Sequence, residues 1–205
     1  QPANDVTLWA QSHGVASLYK PVLATVSLGL DPCLRKNNED LDYNNVRWRL
    51  FGIGWNGLGF VQRGRRPGDI LRRQQILQDI SLHLQRLLEM QYPLGNLFYE
   101  DLNGLFFTFP GLDGQENQAE ALVRELVSEI IEIARGQSDT ELWPFLTLSK
   151  PRRTLTNITH EITARDGPAA LPRVAALLSL ERDGDQREEK LVVDGSALSP
   201  PTAGQ

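Results

Sequence analysis

Residues 97–109 read LFYEDLNGLFFTF, two apolar and aromatic runs separated by a short polar stretch. That stretch ends in Asn103-Gly104, and both residue types accept the positive φ values of a tight type I′ turn. The second run places Leu105, Phe107 and Phe109 on one face of a strand. The sequence therefore predicts a β-hairpin, and its neighbours along the chain fit around it.

The segments around the hairpin alternate between strand and helix patterns. The order is strand, helix, hairpin, helix and strand, at residues 47–55, 67–90, 97–109, 115–135 and 142–148. Gly136 is typical of a helix end, and Pro144 predicts that the last strand lies at a sheet edge. This β-α-β-β-α-β order predicts an α+β fold of the ferredoxin-like kind. We expect both helices on one face of the sheet, with a shared core of Leu50, Ile80, Leu84, Phe107, Leu126 and Ile130.

Composition divides the chain into three parts. Residues 1–45 predict a helical segment, with a kink or a restart at Pro21, followed by a polar linker. Residues 46–153 hold the ferredoxin-like domain. Residues 154–205 form a C-terminal extension whose Pro-, Ser- and Gly-containing end we expect to be disordered.

Bulk properties exclude several classes of protein. The formal net charge of −5 argues against a protein that coats nucleic acid through overall charge, although local basic clusters can still bind phosphate. The single cysteine, Cys33, excludes an internal disulfide and an all-cysteine zinc site. No apolar run approaches the roughly 20 residues of a membrane span, and no signal peptide is visible. We therefore expect a cytoplasmic protein with no membrane partner.

The acidic pair in the hairpin is a candidate for metal-dependent chemistry. In the palm domains of polymerases and nucleotide cyclases, such a hairpin and the first strand hold two divalent ions about 3.5–4 Å apart. The hairpin offers Glu100 and Asp101, whereas the first strand is followed only by Asn56, a neutral oxygen ligand. Glu100 and Asp101 are therefore the candidate catalytic residues, and together with Asn56 they are candidate ligands for weak Mg²⁺ binding. The alternative is that both acids are ordinary turn residues.

Glycines and arginines suggest two further candidate sites. Gly52 and Gly54 in the first strand indicate that another group approaches the backbone closely, either a packed helix or a ligand phosphate. On the second interpretation Gly54 and Gly57 are candidate nucleotide-binding positions, with ATP as the nucleotide. Five arginines crowd the start of the first long helix and are either a solvated face or contacts to RNA or an acidic partner: Arg63, Arg65, Arg66, Arg72 and Arg73.

Four segments resemble the large subunits of type III CRISPR–Cas effector complexes. They lie, in the order and spacing of that family, at residues 4–20, 48–58, 92–104 and 148–153. The resemblance implies the end of an HD-like region followed by the first palm domain of a divergent branch. It implies a subunit of a crRNA-guided, RNA-targeting complex in antiviral defence, whose palm can join ATP into cyclic oligoadenylates with two Mg²⁺ ions.

The chain departs from that family at its reactive positions. Ala10 stands where an acidic residue is expected after Trp9. The glycine-glycine-aspartate-aspartate signature is replaced by Phe98-Tyr99-Glu100-Asp101, and the first-strand aspartate falls near Gly54. The hypothesis is therefore a degenerate palm domain that acts as a structural and RNA-complex-binding module beside other subunits. The alternatives are an active nucleotidyltransferase or cyclase and an unrelated ferredoxin-like protein-interaction domain.

Overall fold

The computed structural model describes residues 8–30, 42–112, 116–156 and 158–166. The predicted disordered end of the chain lies outside these residues. The described helices and strands are α1 Leu8–Ser27, β1 Trp48–Gly54, α2 Gly57–Gln62, α3 Pro67–Arg86, β2 Leu97–Asp101, β3 Gly104–Pro110, α4 Glu116–Gln137, β4 Phe145–Leu148 and α5 Ile158–Asp166. A 3₁₀ turn at Tyr43–Asn45 precedes β1, and a π-helical turn at Leu87–Gln91 prolongs α3.

The strands form one four-stranded sheet in the order β2-β3-β1-β4. Each neighbouring pair is antiparallel, and the β1–β3 register runs from Trp48 opposite Pro110 to Gly54 opposite Gly104. The predicted α+β class is confirmed. The predicted position of the last strand at an edge is confirmed as well, since β4 pairs with β1 alone within this sheet.

Three predicted boundaries are wrong. The last strand begins at Phe145, directly after Pro144, because proline has no N–H to donate to a ladder. Helix α4 continues through Gly136 to Gln137, and the left-handed residues that follow it are Asp139 and Thr140. Helix α1 runs through Pro21 as one helix, so of the two predicted alternatives the restart is wrong.

The main core lies between one face of the sheet and helices α3 and α4, which also contact each other. Five of the six predicted core residues share this cluster, namely Ile80, Leu84, Phe107, Leu126 and Ile130. Leu50 is buried but lies outside the cluster, whereas its neighbour Phe51 lies inside it. Successive strand side chains point to opposite faces, so Leu50 belongs to the second face of the sheet.

Helix α1 is attached to the same body. Trp48 Nε1 donates to the Leu18 carbonyl at 2.7 Å, and Ala24 joins the main core. Lys20 Nζ donates to the Glu89 carbonyl at 2.7 Å and to Asn96 Oδ1 at 2.9 Å. Burial lowers the pKa of this lysine, and the nearby Glu89 carboxylate partly opposes the shift. These contacts join α1 to the segment that leads into β2.

Candidate functional site

The hairpin acids lie at the end of the sheet where β2 turns into β3. The loop consists of Leu102 and Asn103, and Asp101 Oδ1 accepts a hydrogen bond from the Asn103 N–H at 2.8 Å. With this Asx turn, the two loop residues are Leu102 and Asn103, one position earlier than the expected Asn103 and Gly104. The expected type I′ turn at Asn103-Gly104 is therefore wrong, because Asn103 has no positive φ and Gly104 sits at φ 145° within β3. Glu100 is exposed and pairs with Leu105 across the hairpin.

The hairpin loop is fastened to the junction between β1 and α2. Trp55 donates from its backbone N–H to the Asn103 carbonyl at 2.9 Å, and its indole donates to the Leu102 carbonyl at 3.0 Å. The Asn103 side-chain oxygen accepts from the Leu58 N–H at 3.1 Å. Asn56 caps α2, and its Oδ1 accepts from the Gly59 N–H at 2.9 Å. The structure thus brings the β1 end and the hairpin together through backbone hydrogen bonds.

The glycines of this region accommodate groups of the chain itself. A Cβ atom at Gly54 would lie 2.3 Å from the Phe145 ring, and one at Gly52 would lie 2.6 Å from the Phe106 ring. A Cβ at Gly57 would lie 1.7 Å from the Leu102 carbonyl oxygen. The close approach expected at Gly52 and Gly54 therefore comes from side chains of the neighbouring strands, Thr147 and Phe106 at Gly52 and Phe145 at Gly54. The two predicted alternatives, a packed helix and a ligand phosphate, are both wrong.

These contacts define what the hairpin site can do. Among the side chains described, no three His, Cys, Asp or Glu residues are grouped so that they could hold a metal ion. Asp101 Oδ1 and Asn56 Oδ1 each accept a backbone N–H, and Glu100 is exposed. An oxygen-ligand site for Mg²⁺ needs several converging oxygens. The arrangement supports at most a single, solvent-exposed cation contact.

The five arginines lie around the start of α3, and four of them share a shallow basin. We call this the arginine basin; it has a volume of about 320 Å³ and is lined by Arg63, Arg65, Arg72 and Arg73 with Asp69, Asp139 and Glu141. Arg66 is not among the residues that line the basin, and it immediately precedes α3. Arg65, Arg66 and Arg72 are exposed and form no ion pair with any residue that the structure describes.

Glu141 divides the arginines into two groups. Its carboxylate accepts from Arg73 at 2.8 and 3.0 Å, a bidentate pair, and from Arg63 at 3.4 Å. The hydrogen bonds from Arg73 hold the pKa of the Glu141 carboxyl below its usual value, and the same contact raises the pKa of Arg73. Sequence reasoning missed Glu141. No local signal marks it, because it follows Arg73 by 68 residues.

No family model, no curated protein and no solved structure matches this chain. Within the ranges described above, no helix is both long and apolar enough to cross a lipid bilayer. The geometry of the hairpin and of the arginine basin is therefore the basis for assigning a function.

Proposed function

We propose that this chain is a degenerate palm domain that binds RNA through the arginines at the start of α3. The observation that carries the proposal is the exposure of Arg65, Arg66 and Arg72 side by side without an ion-pair partner among the described residues. Guanidinium groups bind phosphate oxygens through paired hydrogen bonds. Arg65 and Arg72 line the basin and Arg66 immediately precedes α3, so these three cationic side chains lie near the start of one helix.

The strand order supports a ferredoxin-like palm as the scaffold. Two interleaved β-α-β units place the first and third strands in the middle of the sheet, and the order β2-β3-β1-β4 has this arrangement. The hairpin and the first strand then meet at one end of the sheet, where palm enzymes hold their metal ions. Here Asp101 closes a turn, Asn56 caps a helix, and the Phe145 ring covers Gly54. These structural uses of the metal-site positions favour a binding role over catalysis.

The wider setting that we propose is a crRNA-guided complex of the type III CRISPR–Cas kind in the cytoplasm. The order and spacing of the four segments that resemble its large subunit support this setting. Affinity purification of the protein from its native cells, followed by sequencing of the bound RNA, tests it. We expect short repeat-derived guide RNA and further subunits. Recovery of the chain without such RNA would contradict the CRISPR setting and leave RNA binding by the arginines to be judged separately.

RNA binding is tested with the full chain and a fluorescein-labelled 20-nucleotide oligouridylate. Fluorescence anisotropy over a range of KCl concentrations gives the affinity and its salt dependence. The test variant is Arg65→Gln/Arg66→Gln/Arg72→Gln, and the matched control is Arg86→Gln/Arg152→Gln/Arg153→Gln, which removes three exposed arginines elsewhere. We expect the salt slope to fall by about 2 in the test variant, since each single-strand phosphate contact contributes about 0.7.

The outcomes separate the possible ligands. Equal affinity and slope in both variants would overturn the assignment of the arginines. Binding of a poly-aspartate peptide instead of RNA, lost in the test variant alone, would assign the surface to an acidic protein partner.

A further inference from the structure

Glu141 occupies the place that an anionic ligand would take in the arginine basin. Its two carboxylate oxygens meet the two terminal nitrogens of Arg73 at 2.8 and 3.0 Å, and Arg63 approaches the same carboxylate at 3.4 Å. A phosphodiester group also offers two oxygen acceptors to a guanidinium, as a carboxylate does. The internal carboxylate and a phosphate are therefore alternative partners for these two arginines.

Arg73 is held by more than Glu141. Its guanidinium carbon lies 4.5 Å from the centre of the Phe60 ring, and its NH1 also donates to the Phe60 carbonyl at 3.3 Å. The ring face attracts the cation independently of the carboxylate. When Glu141 leaves, Arg73 keeps its position and presents the same two nitrogens to the basin.

The segment that carries Glu141 has an unfavourable backbone. Asp139 and Thr140 have φ values of 50° and 66°, a left-handed conformation that is costly for a β-branched residue such as threonine. Ser138 fixes both sides of the turn, donating from Oγ to the Ala134 carbonyl at 2.6 Å and accepting from the Leu142 N–H at 3.0 Å. The turn thus holds the Glu141 carboxylate beside Arg73 and Arg63.

We infer that Glu141 is a built-in competitor for phosphate in the arginine basin, displaced when an RNA phosphodiester binds. The displacement adds Arg73 and Arg63 to the arginines that are already free in the basin, Arg65 and Arg72. This inference rests on the proposed RNA-binding function and adds its regulation. The basin then favours RNA over a small anion, because an RNA strand makes enough contacts to replace Glu141 and a small anion does not.

The test compares Glu141→Gln with Asp69→Asn in the full chain, using the labelled oligouridylate described above. Both substitutions remove one negative charge from the basin, but Asp69 makes no ion pair with any described residue. For Glu141→Gln we expect affinity to rise on the order of tenfold at an unchanged salt slope, because RNA already contacts Arg73 and Arg63 in the parent complex once Glu141 is displaced. For Asp69→Asn we expect a small gain in affinity at an unchanged slope. Circular dichroism melting curves check that both variants are folded.

A third variant locates the effect. Adding Arg73→Gln to Glu141→Gln should abolish the gain, since the released arginine is then missing. Equal gains in the two single variants would overturn the inference, leaving only net charge, while RNA binding itself would stand. Binding by Glu141→Gln without binding by the parent would show that Glu141 blocks the basin and is not displaced, which would overturn both the inference and RNA binding by the parent chain. Binding by neither would overturn both proposals.

Discussion

Asn103 joins the hairpin to the junction between β1 and α2 through two groups and closes the hairpin loop through a third. Its carbonyl accepts from Trp55 N–H, its side-chain oxygen accepts from Leu58 N–H, and its own N–H donates to Asp101. The hairpin approaches so closely that Gly57 faces the Leu102 carbonyl with no room for a side chain. At the scale of single residues, the side chains of the candidate metal site thus lie where the hairpin is fastened to the junction between β1 and α2.

The close approach of the hairpin to Gly57 predicts that a side chain at this position destabilises the fold. A Cβ atom there would meet the Leu102 carbonyl oxygen at 1.7 Å, a backbone atom that cannot rotate away. We expect Gly57→Ala to lower the free energy of unfolding by about 1–3 kcal/mol, the usual cost of overpacking. Urea denaturation followed by circular dichroism measures this value.

The matched control is Gly68→Ala. Gly68 lies in the first turn of α3, and a Cβ there would meet nothing within 4 Å. Alanine has the higher helix propensity, so this variant should be unchanged or stabilised by up to about 1 kcal/mol. Similar losses of stability in the two variants would show that the hairpin does not press on Gly57.

Helices α3 and α4 are the elements that close the main core over the sheet. Leu84 on α3 is fully buried, whereas Leu82, two residues earlier, is 52% exposed. The contrast follows from the helical period, which turns the two side chains to different sides of one helix. Substitutions at these two positions therefore compare the buried side of α3 with its exposed side.

Truncation of Leu84 to alanine should cost about 2–5 kcal/mol of unfolding free energy, since it removes buried methyl groups and leaves a cavity. Leu82→Ala has the same chemistry at an exposed position and should change stability by less than about 0.5 kcal/mol. Both values come from urea denaturation midpoints. A cost below about 1 kcal/mol for Leu84→Ala would contradict its place in the core.

The elements were predictable from the sequence because their signals are local. The helical stripes, the hairpin and the proline before β4 each act within a few residues. The Phe145 ring over Gly54 and the pairing of Glu141 with Arg73 bring together residues about 70 or more positions apart. Such contacts depend on how the elements pack, so neither the use of the first-strand glycines nor the role of Glu141 could be read from the sequence.

At the scale of the whole molecule, the arginine basin and the candidate metal ligands belong to different elements of the described structure. The arginine basin involves α2, α3 and the turn after α4, whereas the hairpin acids end β2. Gly54 and Asn56, at and just after the end of β1, offer no carboxylate, and a two-metal centre needs anionic oxygens to bridge its ions. The arginine basin and the hairpin acids are thus different surfaces of the described structure.

We therefore expect no cyclic or linear oligoadenylates when the chain is incubated with ATP and Mg²⁺ or Mn²⁺. Chromatographic separation of the products is the measurement, and the Glu100→Ala/Asp101→Ala double variant is assayed in parallel. Product made by the parent and lost in the double variant would contradict the degenerate palm and establish the cyclase alternative. Product made equally by both proteins would come from a contaminant or from another site.

The bulge in β2 has a consequence for how copies of this sheet meet. β2 forms one edge, and its register shifts between Leu97 and Tyr99, so the outward row of N–H and C=O groups is interrupted. At the other edge, β4 is four residues long and follows Pro144, which has no N–H to offer. Both borders are poor templates for an added strand, which protects the chain against amyloid-like stacking in a crowded assembly.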